Sequence, residues 1–232
     1  MRRTFAICRT GFSGLSYAKT FKTHAGTYSL PTCARHASSA CWNCQKLGEH
    51  MICAECGCLQ DVDNSTNYFK LLNFPVKFSL QTPELTQRFR QLQAQVHPDK
   101  YSNKTTREQT NSADWSSLVN KAYKTLSVPL ERGQYMLQLE GEQMPQDNSA
   151  LNATFLMAMM ERNEEVEEAA DSDALDKLSA QLSQEQEAKA QKLTAQFEAN
   201  DLAAVKQTLV EMKYLQSIQS SIKKKQQQLM SS

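Results

Sequence analysis

Apolar side chains recur three and four residues apart along most of the chain after residue 66, which predicts α-helices that each bury one face. The first is a short helix over residues 67–75 that ends before Pro75. A second follows Thr82, its predicted N-cap, has Pro83 at its first position and runs to Val96. Its predicted buried stripe consists of Leu85, Phe89, Leu92 and Val96.

The next stretch, residues 99–112, is polar and is predicted to be a loop. Long loops in compact domains tend to be functional. A third helix follows over residues 113–127. Its predicted inner face consists of Trp115, Leu118, Val119, Ala122, Tyr123 and Leu126.

Three longer helical patterns, over residues 151–170, 173–197 and 201–229, follow a break at 141–149. Their lengths and short connections predict an antiparallel three-helix bundle. A long coiled coil is the alternative, but the heptads are not sustained. The predicted core positions of the last two helices are Leu175, Leu178, Leu182, Leu193 and Phe197, then Leu202, Val205, Leu209, Met212 and Leu215.

The first helix of this bundle has two different apolar faces. One carries Phe155, Met159 and Val166, which we assign to the core. The other carries Leu156, Met157 and Met160 together with the acids Glu161 and Glu164. This second face is either a binding surface, for which methionine is well suited, or the second side of a helix buried on two sides. Tyr214 in the last helix points away from its core stripe, as either an anchor for a partner or a surface tyrosine.

Composition and charge agree with a helical protein and separate its first residues from the rest. Only seven glycines and six prolines occur among 232 residues. Residues 1–40 hold six Lys or Arg and no acid, whereas the remainder carries a net charge of −5. An acid-free segment with Arg, Ser and Thr is typical of a mitochondrial transit peptide, with a nucleic-acid-binding arm or a disordered tail as alternatives. No stretch has the roughly 20 consecutive apolar residues of a membrane helix.

Four cysteines, Cys41, Cys44, Cys53 and Cys56, form two C-x2-C pairs separated by eight residues. Two such pairs supply the four thiolates of a tetrahedral structural zinc site, which suits a segment too short to fold on its own. Two disulfides or a redox pair are the alternatives. There is no secretory signal to favour disulfides and no βαβ pattern to favour redox chemistry. Cys58 remains as a spare thiol or an alternate ligand.

A His97-Pro98-Asp99 tripeptide interrupts the helical pattern directly after Val96. The proline stops the helix because it lacks the backbone donor and clashes with the preceding turn. As an acid–base pair the histidine and aspartate lack a nucleophile or oxyanion donor nearby, and as a metal site they lack further ligands. A rigid display of two polar side chains to a partner and a chance tripeptide in a loop remain as interpretations.

The residues 67–135 around this tripeptide resemble a J-domain. The matching features are "YFKLL", an amphipathic helix running into His97-Pro98-Asp99, a polar loop and an "NKAYKTLSVPLERGQY" helix. The resemblance implies that the tripeptide docks on a seventy-kilodalton heat-shock chaperone and stimulates its ATPase. Arg90, on the polar and basic face of the preceding helix, is assigned to the same contact.

The J-domain, the acidic bundle with "FLMAMMERNEE" and the cysteine quartet together resemble the animal mitochondrial J-domain co-chaperones of iron–sulfur cluster biogenesis. The resemblance covers about residues 41–230 and implies an adaptor rather than an enzyme. It places contacts to the iron–sulfur scaffold protein at Leu156, Met157, Met160, Glu161, Glu164 and Tyr214. Bacterial members of this group lack the quartet, which implies that its zinc is not needed for the group's core activity.

The sequence thus predicts an all-α protein with five parts. These are a transit peptide (1–39), a zinc-binding tetracysteine module (40–62), a J-domain (66–140), a linker (141–149) and a client-binding bundle (150–230). We expect it in the mitochondrial matrix, with a cytoplasmic pool as a second location, without membrane insertion, and as a monomer or a weak dimer. The alternatives are a general J-domain co-chaperone for unfolded clients and a zinc-dependent nucleic-acid binder. The net acidic body disfavours the second.

Overall fold

The computed structural model describes residues 39–48, 51–145 and 151–231. The predicted transit peptide, apart from Ser39, and the end of the predicted linker lie outside these ranges. The helices are α1 (Tyr68–Leu71), α2 (Thr82–Val96), α3 (Thr106–Ser127), α4 (Pro129–Leu139), α5 (Ala153–Glu168), α6 (Ser172–Glu198) and α7 (Leu202–Ser231). A 3-10 turn, Pro98–Tyr101, follows α2, and β1 (Ser39–Ala40) pairs with β2 (Leu47–Gly48) in an antiparallel hairpin.

The all-α prediction is confirmed, and the helices of the predicted bundle end within about two residues of their expected bounds. Among the described helices, none is long and apolar enough to cross a membrane. The helix N-termini explain the bounds of the bundle helices, because the side chains of Asn152 and Asp171 each accept a hydrogen bond from a first-turn amide.

The long polar loop predicted over residues 99–112 is wrong in extent, because α3 begins at Thr106. The Thr105 hydroxyl accepts a hydrogen bond from the amide of Glu108 and donates one to its carboxylate. This is a Thr-x-x-Glu cap, which starts a helix in a stretch that is otherwise polar. Only residues 97–105 therefore connect α2 and α3, and Pro98–Tyr101 of this connection form the 3-10 turn.

Two further local predictions are wrong. Thr82 is the first residue of α2 rather than its cap, and the preceding residue, Gln81, makes no side-chain cap bond. The helix assigned across "NKAYKTLSVPLERGQY" is two helices. Val128 adopts an extended conformation (φ −95°, ψ 119°) and Pro129 starts α4, because a residue before proline avoids the helical region.

One hydrophobic core crosses the boundary between the predicted J-domain and the predicted bundle. Gly133 on α4 allows this contact, since a Cβ placed there would lie 2.6 Å from Leu209 Cδ2 of α7. The buried members of this core are Phe69, Leu72, Phe78, Leu85, Ala122, Leu126, Leu130, Met136, Leu137, Leu193, Val205, Leu209 and Met212. Helix α7 therefore joins the two halves of the described chain.

A second core lies among α5, the first half of α6 and the second half of α7. Its buried members are Met159, Val166, Leu175, Leu178, Leu182, Leu215, Ile218 and Ile222. Polar contacts fix the helices around it. Arg162 of α5 forms an ion pair with Glu185 of α6 (Nη1 to Oε2, 2.9 Å), and Lys189 of α6 pairs with Glu211 of α7 (2.6 Å). Helices α6 and α7 run antiparallel, as predicted for the bundle.

Candidate metal and partner-binding sites

The four cysteines of the predicted metal site lie together. Their sulfur atoms are all within 4.8 Å of one another, with 3.6 Å between Cys41 and Cys56 and 3.6 Å between Cys44 and Cys53. Tetrahedral ligands about 2.3 Å from a metal have sulfur atoms about 3.8 Å apart, so this donor set fits a thiolate-bound metal ion. All four are free thiols in the structure rather than disulfides.

Two similar turns build this site, one from each C-x2-C pair. In the first, the amide of Cys41 donates to Lys46 O and that of Gln45 donates to Cys41 O. In the second, the amide of Cys53 donates to Cys58 O and that of Gly57 donates to Cys53 O. Gln45 and Gly57 occupy the same place in their turns with φ of 61° and 71°. A glycine accepts this conformation without strain, whereas Gln45 does not. Each turn thus directs two sulfur atoms towards one point.

Backbone amides favour the thiolate at two of these sulfurs, those of Cys41 and Cys56. At Cys44 the amide of Lys46 acts in the same direction, but burial and hydrogen bonds to the neighbouring cysteines outweigh it and raise the pKa to about 12. The amides of Cys44 and Asn43 lie 3.5 and 3.4 Å from Cys41 Sγ, and they lower the pKa of that thiol. The Cys58 amide lowers the pKa of Cys56 to about 6. Burial raises the pKa of the Cys58 thiol itself to about 11, and its sulfur accepts a hydrogen bond from Asn43. The Cys58 thiol therefore keeps its proton at neutral pH more readily than the quartet members Cys41 and Cys56 do.

The predicted chaperone-binding tripeptide is exposed at the end of α2. The side chains of His97 and Asp99 are 53% and 89% accessible. His97 Nδ1 lies 3.3 Å from the amide of Asp99 and 3.4 Å from its carboxylate. This nitrogen accepts from the amide when it is unprotonated and donates to the carboxylate when it is protonated. The tripeptide therefore presents its two polar side chains to solvent next to each other.

Side-chain hydrogen bonds hold the backbone on both sides of the tripeptide. The last carbonyl groups of a helix lack partners within it. Here Ser112 Oγ of α3 donates to Val96 O (2.7 Å), and the hydroxyl of buried Tyr101 donates to Gln95 O (3.2 Å). Residues 96–101 are thus fixed at both ends.

Arg90, also predicted to contact the chaperone, is exposed on α2. It precedes His97 by seven residues, which is close to two full helical turns. The backbone position of Arg90 therefore lies on the side of α2 from which the tripeptide emerges.

The predicted scaffold-binding residues of α5 form a continuous exposed stripe. Met157 and Met160 are each 63% accessible, and they are two of the six large exposed hydrophobic side chains in the described chain. Glu161 and Glu164 are exposed beside them, and Leu156 is half-buried. We call these five residues the α5 stripe. The spacings of three and four residues place them on one side of the helix.

Tyr214 and Phe155 pack together at the edge of the second core. Phe155, which the sequence assigns to the core, is half-buried there and packs edge-on against Tyr214 of α7, with ring centroids 6.2 Å apart. Tyr214 is also half-buried. Phe155 directly precedes Leu156 in the sequence, so its contact with Tyr214 places that tyrosine beside the start of α5. No helical periodicity within one segment could reveal this contact between two helices.

Comparisons with known proteins point to one family. A family model described as the HSCB C-terminal oligomerisation domain matches residues 151–223. The chain is 35% identical over 189 residues to the iron–sulfur cluster co-chaperone protein HscB of Mus musculus, and the match covers 79% of this chain and 81% of that protein.

Solved structures agree with this result. The crystal structure of human co-chaperone protein HscB matches with a TM-score of 0.73 and 34% identity, covering 80% of this chain and 98% of that one. Chaperone HscB from Vibrio cholerae matches with a TM-score of 0.62 and 28% identity, covering 71% of this chain and 99% of that one. The match spans nearly all of both solved chains.

Proposed function

The chain belongs to the HscB family, and on that premise we propose that it is an adaptor in iron–sulfur cluster biogenesis. It binds the cluster scaffold protein through the α5 stripe and Tyr214, and it presents His97-Pro98-Asp99 to a seventy-kilodalton heat-shock chaperone. The chaperone hydrolyses ATP in its own site. Relatives carry the name iron–sulfur cluster co-chaperone, which supports this assignment.

The observation that carries the proposal is the presence of two separate exposed surfaces on one compact body. One is the fixed loop after α2; the other is an apolar stripe with acids on α5. Binding two proteins on one chain converts their encounter into a local event with a raised effective concentration. The adaptor therefore delivers the scaffold to the chaperone at the moment that hydrolysis is triggered.

The α5 stripe suits a partner with an apolar patch surrounded by basic residues. Glu161 and Glu164 are exposed next to Met157 and Met160, and the nearby cation, Arg162, is already paired with Glu185. Complementary charge steers association and fixes register more than it adds affinity. Apolar contacts with the two methionines supply most of the binding free energy.

We further propose that the cysteine quartet holds one structural zinc ion. Four thiolates favour a soft metal and leave no open coordination position for a substrate. Zinc there stabilises the fold of residues 40–62, since so short a segment buries little apolar surface. The acid-free residues 1–39 support a mitochondrial matrix location.

The test is the rate of ATP turnover by the chaperone with the purified protein, in the presence and absence of the scaffold protein. The two together should stimulate turnover by more than the sum of their separate effects. Stimulation that is indifferent to scaffold would overturn the client assignment and favour a general co-chaperone. Absence of any stimulation would overturn the role of His97-Pro98-Asp99.

A further inference from the structure

The tetracysteine module packs against the part of α3 that also contacts the His-Pro-Asp loop, which we define as residues 97–105. Two α3 side chains hold the last residues of the module. Trp115 Nε1 donates to Gln60 O (2.8 Å), and Asn111 Nδ2 donates to Leu59 O (3.1 Å). Both α3 residues are buried. These buried bonds fix the position of the module's last residues on α3.

The same turn of α3 anchors the loop. Ser112 follows Asn111 and donates to Val96 O, the last carbonyl of α2 before His97. One α3 residue therefore holds the module and the next holds the backbone that carries the tripeptide.

Leu59 connects the module and the loop in a common hydrophobic cluster. It is 0% accessible, although it belongs to a module with little core of its own. The buried members of the cluster are Leu59 from the module, Val96 and Tyr101 from the two sides of the tripeptide, and Trp115 and Leu118 from α3. Removing one large side chain from such a cluster leaves a cavity that its neighbours fill only partly. The loop would then lose part of its support.

A polar contact at the surface closes the same interface. Arg107 of α3 forms two hydrogen bonds with the Asp61 carboxylate, and its guanidinium carbon lies 4.9 Å from the centre of the Trp42 ring. The Trp42 indole in turn donates to Leu59 O (2.8 Å). The contact between module and α3 therefore extends from the buried cluster to the surface.

We infer that the tetracysteine module is a support for the His-Pro-Asp loop, and that Leu59 and Trp115 are positioning residues for chaperone stimulation. The inference rests on the proposed function of that loop. The module acts through Val96 and Tyr101, which fix the backbone on both sides of the tripeptide. In this chain the loop thus depends on a segment that lies outside the J-domain.

The first experiment replaces Leu59 by alanine in the full-length protein and measures amide hydrogen exchange. The amides of Lys100 and Lys104 donate within the loop, and they should exchange roughly tenfold faster relative to amides of α6 and α7. The protein concentration that gives half-maximal chaperone stimulation should rise by a similar factor. Affinity for the scaffold protein should not change, because α5, which carries the stripe, packs against a different core.

Two variants separate positioning from loss of folding. Leu59→Met keeps the buried volume and should restore both exchange and stimulation. Trp115→Phe keeps one ring in the cluster but removes the bond to Gln60 O and part of the buried indole volume, so it should shift both readouts in the same direction as Leu59→Ala. Leu47→Ala, at a side chain that is 74% accessible in the same module, is the matched control and should change neither.

Several outcomes overturn the inference. Unchanged loop exchange in both Leu59→Ala and Trp115→Phe does so, as does faster exchange with unaltered stimulation. Equal acceleration in α6 and α7 would show global destabilisation instead of a local role. If the unmodified protein fails to stimulate the chaperone, the proposed function of the loop is wrong, while the exchange comparison still tests the structural support.

Discussion

The His-Pro-Asp loop and the α5 stripe are both exposed, but they are built in opposite ways. The loop is short and polar, and buried anchors fix its backbone through Val96 and Tyr101. The α5 stripe is a regular helix surface on which flexible methionines stay 63% accessible. Rigid presentation reduces the entropy lost on binding, whereas methionine adapts to the shape of its partner. Substitutions should therefore act nearly all-or-none in the loop and by degrees in the stripe.

The largest effect is expected from His97→Gln, which removes the imidazole of the tripeptide in the loop. Chaperone stimulation should be abolished, since the tripeptide is read as one arrangement. The histidine is 53% accessible, so the free energy of unfolding should change by less than about 0.5 kcal/mol. ATP turnover and thermal unfolding measure the two quantities, and scaffold affinity is the internal control. Retained stimulation would contradict the proposed role of the loop.

A smaller, graded effect is expected from Met157→Ala combined with Met160→Ala. Loss of two exposed anchors should weaken scaffold binding by about 10- to 100-fold, measured by calorimetry. Stimulation without scaffold should not change. Met230→Ala is the matched control, because that side chain is 83% accessible on α7 and lies outside the stripe. Scaffold affinity equal to that of the control would show that the two methionines do not contribute to the interface.

The smallest effect should come from Glu161→Gln combined with Glu164→Gln. Exposed charges contribute mainly to association rate, so binding should slow a few-fold at low salt, with the difference vanishing as salt rises. The control is Glu167→Gln with Glu168→Gln, which makes the same charge change at the end of α5. Equal slowing in both double variants would mean that net charge alone matters.

The helices of the bundle could be predicted from sequence because each has a long apolar stripe, as in Leu175, Leu178 and Leu182, which are all buried. The start of α3 was missed because its first turns are polar. The Thr105–Glu108 cap was the local signal that could have located it. The break at Val128 was likewise readable from Pro129.

The candidate sites likewise divide into those that local sequence predicts and those that depend on how the helices pack. The quartet and the tripeptide are compact motifs, so spacing and local chemistry are enough to mark them as candidate sites. The pairing of Phe155 with Tyr214 and the docking of Leu59 against Trp115 join residues that are far apart in the chain. Such contacts depend on how helices pack, which periodicity within one segment does not determine. Tertiary structure was therefore needed to connect the module with the loop.

An adaptor requires that the loop and the α5 stripe act on one chain. The most direct measurement is chaperone ATP turnover with scaffold protein, comparing the unmodified protein with an equal mixture of His97→Gln and Met157→Ala/Met160→Ala. Each variant keeps one intact surface. The adaptor account predicts that the mixture shows no synergy with scaffold, since no single molecule holds both partners. Full synergy from the mixture would contradict the account, because the two surfaces would then work independently.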